Sequence, residues 1–375
     1  MNSICSEDDN SFSSIICDVV DTCIGGILNP DRRQSLTQLL TRLQDFRKYY
    51  GYNDPSITGI LDEIGTCLQG SRLSLLSLHF YQEKLRIEKF YLGPHHPDLA
   101  STLYDIGQVY VENGQISEAT ECYIKAFFLL KKSNTDRKLI SLILFNLGLI
   151  KYESSPVDAM KIFNRSIIAQ QDSVGEFHPD VAEMYLSIGR LQLQSKMRDK
   201  AMESFLKALI ISRIVYGNNS NRVGEILYQI GLCHKEKSEY ILALNSFHQS
   251  MEIAKRFEEI ECMIVILHKI SLVHRSIGDF NKTITTLQEI IHIIKRKVGE
   301  KHVCVAIVLG QLCTLYADKG MIEKSKKAAK KISFICNMSE YANYDSTYKF
   351  INFINKLFGY VLEENSTSIV AAAAA

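Results

Sequence analysis

The chain reads as an all-α solenoid of stacked helical hairpins, and three observations predict it. A small residue recurs in an apolar frame at Gly65, Gly107, Gly148, Gly189, Gly231, Ser271 and Cys313, with spacings of 42, 41, 41, 42, 40 and 42. A second small residue comes after each of these, at Ser77, Ala119, Ala159, Ala201, Ala243, Thr283 and Ser325. Proline is scarce, at 6 in 375 residues, and tryptophan is absent, while Leu, Ile, Lys and Glu are abundant. That composition favours helix over strand, and a fixed period of roughly 20–50 residues marks a repeat array.

At the N-terminus, residues 1–13 are expected to be a disordered tail. Residues 14–51 read as a degenerate hairpin or cap, with one apolar stripe at Ile15, Ile16, Val19, Val20, Cys23 and Ile24 and another at Leu36, Leu39, Leu40, Leu43 and Phe46. Residues 52–339 hold seven repeats. In each, apolar residues at three- and four-residue spacing, such as Leu103, Ile106, Val109 and Tyr110, predict a first amphipathic helix of about four turns. A short turn comes next, with glycine at Gly114, Gly278 and Gly320. The second helix carries the second small residue, placed where the two helices cross. Four positions on stands a large residue, at Tyr81, Tyr123, Phe163, Phe205, Phe247 and Leu287, expected to fill the space between one hairpin and the next; Ala329 breaks the series. A third small residue stands at Ala126, Ser166, Ala208 and Ser250, with Lys84 and Ile290 departing from the pattern.

The corners between repeats also recur. Gly93-Pro94-His95-His96-Pro97-Asp98 matches Gly175-Glu176-Phe177-His178-Pro179-Asp180, and Gly51, Gly217 and Gly299 open partial copies. Glycine suits a helix C-cap and proline the first turn of the next helix, so the histidines are read as structural corners. At the far end, residues 340–363 carry a stripe of Tyr348, Ile351, Ile354, Leu357, Phe358 and Val361, expected as a capping helix over the last apolar face. Residues 364–375 are expected to be a second disordered tail.

The pattern L-x-x-I/L-G-x-x-Y, then A-x-x-x-Y/F-x-x-A, resembles the tetratricopeptide repeat. The 42-residue period with G-x-x-H-P-D between units resembles the subclass found in kinesin light chains and nephrocystin-3-like proteins. The resemblance covers residues 52–339. It implies a right-handed superhelix of seven to eight repeats and a role in binding proteins.

Composition bounds the function. The chain holds 43 basic and 42 acidic residues, a net charge of +1, which gives no reason to expect nucleic-acid binding across the surface. The charge is uneven. Residues 1–65 hold ten Asp/Glu against five Lys/Arg, a net of −5, and residues 295–331 hold ten Lys/Arg against three Asp/Glu, a net of +7. The basic run Lys324, Lys326, Lys327, Lys330 and Lys331 reads as the outer face of a terminal helix, without aromatic residues for base stacking. No run of 18 apolar residues predicts a membrane span, and the acidic start from Met1 to Asn10 is unlike a secretory signal, so a cytoplasmic location is expected. The ten cysteines are scattered and read as small apolar packing residues. Neither phosphate-binding glycine loop nor H-E-x-x-H occurs, and the histidines and cysteines do not cluster at metal-ligand spacing. No cofactor, no metal and no enzymatic activity are expected.

Recognition is the chemistry such a repeat offers. First helices of successive hairpins line one face, where a peptide or a partner helix can lie. The repeat register turns inward the positions two before the small residue and one, four and five after it. The groove candidates are Asp105, Asn146, Arg190, Gln229, Lys235, Lys269, Arg275 and Gln311. Amides pair with peptide backbone, and Arg and Lys hold carboxylates. The cluster Lys235, Lys269 and Arg275 predicts a protein or peptide partner with acidic character toward the C-terminal half, softened by Glu183 and Glu225. The leading function is a scaffold or adaptor that binds such a partner. The alternatives are a motor cargo adaptor, as the kinesin light chain resemblance implies, and the regulatory sensor region of a signalling ATPase.

Overall fold

The computed structural model describes residues 30–70, 73–133 and 136–338. The stripe from Ile15 to Ile24, the capping stripe from Tyr348 to Val361 and both expected tails lie outside the described residues. Among the described residues there are fifteen α-helices, one 3₁₀ turn at Pro55–Ile57 and no strand, an all-α solenoid of helical hairpins. The chain divides into two compact units, Met1–Glu176 and Phe177–Ala375.

The first unit holds α1 (Pro30–Tyr50), α2 (Thr58–Leu68), α3 (Ser74–Leu92), α4 (Leu99–Glu112), α5 (Ile116–Ser133), α6 (Arg137–Ser154) and α7 (Pro156–Val174). Helices α2/α3, α4/α5 and α6/α7 are hairpins, and α3 packs on α4 and α5 on α6. Helix α1 buries Leu36, Leu40 and Leu43, with Leu39 and Phe46 partly buried beside them, against Ile57, Ile60, Leu61 and Ile64. The second unit holds α8 (Pro179–Gln194), α9 (Arg198–Tyr216), α10 (Asn221–Glu236), α11 (Tyr240–Arg256), α12 (Ile260–Ile277), α13 (Phe280–Val298), α14 (Val303–Asp318) and α15 (Ile322–Met338). These pair as α8/α9, α10/α11, α12/α13 and α14/α15, each hairpin stacked on the next.

The aromatic residue of the second helix seats against the glycine of its own hairpin, and Tyr81 also packs in one core with Leu99, Leu103 and Ile106 of the next hairpin. A Cβ added to Gly107 would stand 2.5 Å from the Tyr123 ring, and the same holds for Gly65 with Tyr81, Gly148 with Phe163 and Gly189 with Phe205. For Gly231 and Phe247 the distance is 2.7 Å. Glycine is needed because the ring occupies the volume of its missing side chain, and all five rings are fully buried. Where the ring is lost, the first position grows: Ser271 faces a repeat with Leu287, and Cys313 one with Ala329. The crossing is fastened in the first and last hairpins by hydroxyls. Ser77 Oγ donates to the Gly65 carbonyl at 2.8 Å, and Ser325 Oγ to that of Cys313 at 3.1 Å.

The corners are backbone devices. Gly93, Gly175, Gly217 and Gly299 end their helices at φ 86, 92, 81 and 94° with ψ of 160, 160, 167 and 163°, a region open essentially to glycine alone. The histidines three residues further on cap the backbone that enters the next helix. Nδ1 of His178 accepts from the Asp180 amide at 3.2 Å, that of His302 from the Cys304 amide at 3.3 Å, and that of His96 from the Asp98 amide at 3.3 Å. Within hairpins, the turn places Gly114, Lys196, Ser238, Gly278 and Gly320 at positive φ, each seven residues past its small residue. Non-glycine residues thus take this left-handed turn position twice, both times in the second unit.

Candidate peptide-binding face

In the first unit the polar side chains of the first helices are bound to one another. Gln69, the C-cap of α2, donates from Nε2 to Gln108 Oε1 on α4 at 3.1 Å. Gln108 Nε2 donates to the Tyr104 hydroxyl at 2.7 Å, and Asn146 Nδ2 on α6 donates to the same hydroxyl at 3.1 Å. Three successive first helices are so joined by an amide and phenol ladder. Asn146, expected to meet a ligand, is engaged by Tyr104 instead.

Asp105 lies in a charged cluster. Lys84, on α3 and buried, places Nζ 2.5 Å from Asp62 and 3.9 Å from Glu88. Glu88 also accepts from the Thr102 hydroxyl at 2.7 Å. Burial pushes the Asp105 carboxyl up to about 7, Lys84 opposes this, and Asp62 and Glu88 add to it. Lys84 occupies the place that is Ala126, Ser166, Ala208 or Ser250 in other repeats. A long cationic side chain buried at that position must have counter-charges beside it, here Asp62 and Glu88 of its own hairpin, because an isolated buried ammonium is costly.

In the second unit ionic pairs take the place of the ladder. Arg190 on α8 pairs with Glu225 on α10, and Arg222 bridges Glu225 and Glu183 at 3.2 Å each. Glu183 and Glu225 thus neutralise the arginines of this stretch. Gln229 lines a groove of about 500 Å³ on the first helices α10 and α12, with Tyr228, Glu225, Cys262 and Val265 and with α11 behind. Lys235 and Lys269 stand on those two helices, both half-buried. Among the described residues Lys235 has one carboxylate in ion-pair range, Glu236 at 3.8 Å. Among the described residues Lys269 has no carboxylate within ion-pair range, and burial followed by the Lys235 charge holds its ammonium below its ordinary value. The neighbouring His268 is buried and pushed down to about 4, by burial and then by Lys269 and Lys235. Arg275 does not complete this pair as a half-buried member: it is exposed and stands 3.9 Å from Asp318 on α14. Gln311 is half-buried on α14.

Of the eight candidates, the structure brings together Gln229, Lys235 and Lys269 on neighbouring first helices, whereas Asn146 and Arg190 are held by intramolecular partners and Asp105 is half-buried under the influence of the Lys84 charge. Sequence reasoning passed over Gln69, Tyr104, Gln108, Lys84 and Arg222. Gln69 and Gln108 were findable, since they stand four after Gly65 and one after Gly107, positions the register turns inward. Lys84 was signalled by its departure from the small-residue pattern. Among the described residues no helix is long and apolar enough to cross a membrane.

Comparison with known proteins agrees with this architecture. Tetratricopeptide-repeat family models match residues 56–132 and 182–213. Protein KINESIN LIGHT CHAIN-RELATED 1 of Arabidopsis thaliana is 23% identical over 280 residues, 69% of this chain and 44% of that protein. A clustered mitochondria protein homolog of Debaryomyces hansenii is 25% identical over 168 residues, 44% of this chain and 13% of that protein. The chain therefore spans less than half the length of either curated relative. Among solved structures, BtubC (BKLC) from P. vanneervenii superposes with a TM-score of 0.52 at 16% identity, over 60% of this chain and 91% of that one. With its glycine-aromatic hairpins and histidine-capped corners, the chain carries tetratricopeptide repeats and is similar to kinesin light chain-related proteins.

Proposed function

We propose that the chain is a protein-interaction scaffold, without enzymatic activity of its own, that holds an extended peptide along the first helices of its second unit and reads a carboxylate there. The observation that carries this reading is Lys269, a half-buried ammonium beside Lys235 with no carboxylate in ion-pair range among the described residues. A peptide carboxylate placed between the two lysines would relieve both their repulsion and the desolvation of Lys269. Tyr228, Val265 and Gln229 in the adjoining groove supply an apolar contact and an amide for the peptide backbone. The kinesin light chain-related relatives support a second reading, in which the bound protein is cargo for a motor.

The test is an array of extended peptides bearing a single Asp or Glu, with the best binder then titrated against wild type and Lys235→Glu with Lys269→Glu. At least tenfold weaker binding by the double variant, at unchanged helix content, is expected. Affinity should also fall as salt rises to physiological levels. Equal affinity in the two proteins would remove this site.

A further inference from the structure

The opposite face of the second unit carries another groove, between second helices rather than first. It has a volume of about 470 Å³ and runs between α13 and α15 with α14 beneath. Its sides are two rows of cationic side chains: His292 and Lys295 on α13, and Lys324, Lys327 and Lys331 on α15. Among the described residues no carboxylate lines it, and most of the lining surface between the rows is apolar, from Ile291, Leu309, Leu312, Tyr316 and Ala328. The basic run of the last helix is therefore split by helical register. Lys324, Lys327 and Lys331 face the groove, whereas Lys326 and Lys330 do not line it.

One end of the groove already shows which anion the rows accept. Glu300 bridges them, 2.8 Å from Lys295 and 2.9 Å from Lys331. Those two hydrogen bonds hold its carboxyl down at about 2. Along the rest of the groove, Lys324 and Lys327 have no carboxylate within 4 Å among the described residues; Lys324 lies 5.9 Å from the Tyr316 ring. From Lys324 to Lys331 is two turns of helix, roughly 10 Å at 1.5 Å per residue.

We infer that this groove is a second docking surface, for an acidic amphipathic helix of a partner protein. Apolar residues of such a helix would cover the floor, and Asp or Glu flanking that face would meet Lys324 and Lys327 on one side and His292 on the other, extending the bridge that Glu300 makes at one end. The apolar floor decides between this occupant and a polyphosphate ligand, because phosphate groups would engage the lysines and leave the floor in water. The inference stands apart from the peptide site at Lys269, which lies on the first-helix face.

The test uses the full chain and a synthetic 16-residue helical peptide with Leu on one face and Glu flanking it. Two charge-matched variants separate register from net charge: Lys327→Glu with Lys331→Glu, and Lys326→Glu with Lys330→Glu. The first pair is expected to weaken binding at least tenfold. The second pair should leave it within twofold. Lys324→Gln with Lys327→Gln, which reverses no charge, guards against misfolding and should weaken binding severalfold. Replacing the peptide's Leu by Ser should abolish binding. Equal losses from the two charge-matched pairs would overturn the docking surface. So would retained binding of the Ser peptide with displacement by inositol hexakisphosphate, which would make the groove a phosphate site. Absence of wild-type binding, with trypsin cleavage beyond residue 338 faster in the first variant pair, would assign the groove to the chain's own C-terminal residues and overturn it equally.

Discussion

In the first unit the polar groups of the first helices are partnered internally, and in the second unit they are left partly open. Gln69, Gln108, Tyr104 and Asn146 form a closed ladder, and Lys84 is surrounded by Asp62 and Glu88. Lys235 and Lys269, on the same face of the same kind of hairpin, repel each other across adjacent helices. The hairpin frame does not differ between the two, since glycine faces a buried ring at Gly107 as at Gly189. What differs is which groups reach one another above that frame. A satisfied polar face stabilises its own unit, whereas an unsatisfied one is available to a ligand.

The contrast between the units is challenged most severely by removing one partner of a buried pair. Arg47 of α1 donates from Nη2 to both oxygens of Glu83 on α3 at 2.7 Å, with both side chains nearly buried. Glu83→Ala is expected to cost about 3–5 kcal/mol in urea unfolding, because it strands a buried guanidinium. Arg222→Ala in the second unit, where the pairs are exposed, is expected to cost less than about 1 kcal/mol. Similar losses at the two sites would mean that the units are held by the same forces.

Substitutions at the hairpin crossings probe what the units share. Gly107→Ala and Gly189→Ala should each cost about 1–3 kcal/mol through overpacking against Tyr123 and Phe205. Ser271→Ala, in a repeat with Leu287 instead of a ring, should cost under about 1 kcal/mol. A tolerated alanine at both glycines, read by thermal melting, would show that the rings move aside freely.

Opposite pH dependences should then separate the units. Asp105 holds its proton up to about 7 when folded, well above its unfolded value near 4. Between those values the folded state binds more protons than the unfolded one, so this group makes stability fall as pH rises from about 4 to about 7. His268 is pushed down to about 4 from an unfolded value of 6.5. The unfolded state then binds more protons, so this group makes stability rise with pH over about 4–6.5. Each contributes at most about 1.4 kcal/mol per pH unit. Local hydrogen exchange should show protection in α4 falling with pH and losing that slope in Asp105→Asn. Protection in α12 should rise with pH and lose its slope in His268→Asn. The same slope in both helices would refute the assignment.

The smallest effects lie in the turns. Lys196→Gly and Ser238→Gly should each raise stability by about 0.5–1 kcal/mol, since both residues occupy the left-handed region at φ 61°. Gly114→Ala, at φ 74° in the first unit, should lower it by a similar amount. Thermal melting of the three variants reads both signs.

Much of the fold was legible because it rests on local chemistry repeated at a fixed interval. The small residues, the turn glycines and the capping histidines each act within one hairpin or one corner, so their spacing alone announces the hairpin. The aromatic residue was recognised and expected between hairpins, but its seat against the glycine of its own hairpin was not foreseen, because periodicity gives its position on the helix and not the direction its ring takes. The candidate face was legible only in outline. The register turned Asp105, Asn146 and Arg190 toward one side with Glu183 and Glu225, and did not show that Lys84 and Tyr104 were waiting there or that Arg190 would pair with Glu225.

The repeat is thus written into the order of residues: seven hairpins in register, each closed by a glycine and a ring or by a larger residue and a smaller one. Which charges are neutralised was settled at the level of packed helices. Lys84 with Asp62, Asn146 with Tyr104, Arg190 with Glu225 and Glu300 with Lys331 join residues 22, 42, 35 and 31 positions apart. Such a pair forms or fails according to the rotation of one helix against its neighbour and the rotamers of two long side chains. Coulomb energy varies inversely with separation and with the local dielectric. A shift of a few ångströms at a stacked helix therefore decides whether an ammonium such as that of Lys84 is bound within the chain or, like Lys269, is left for a partner.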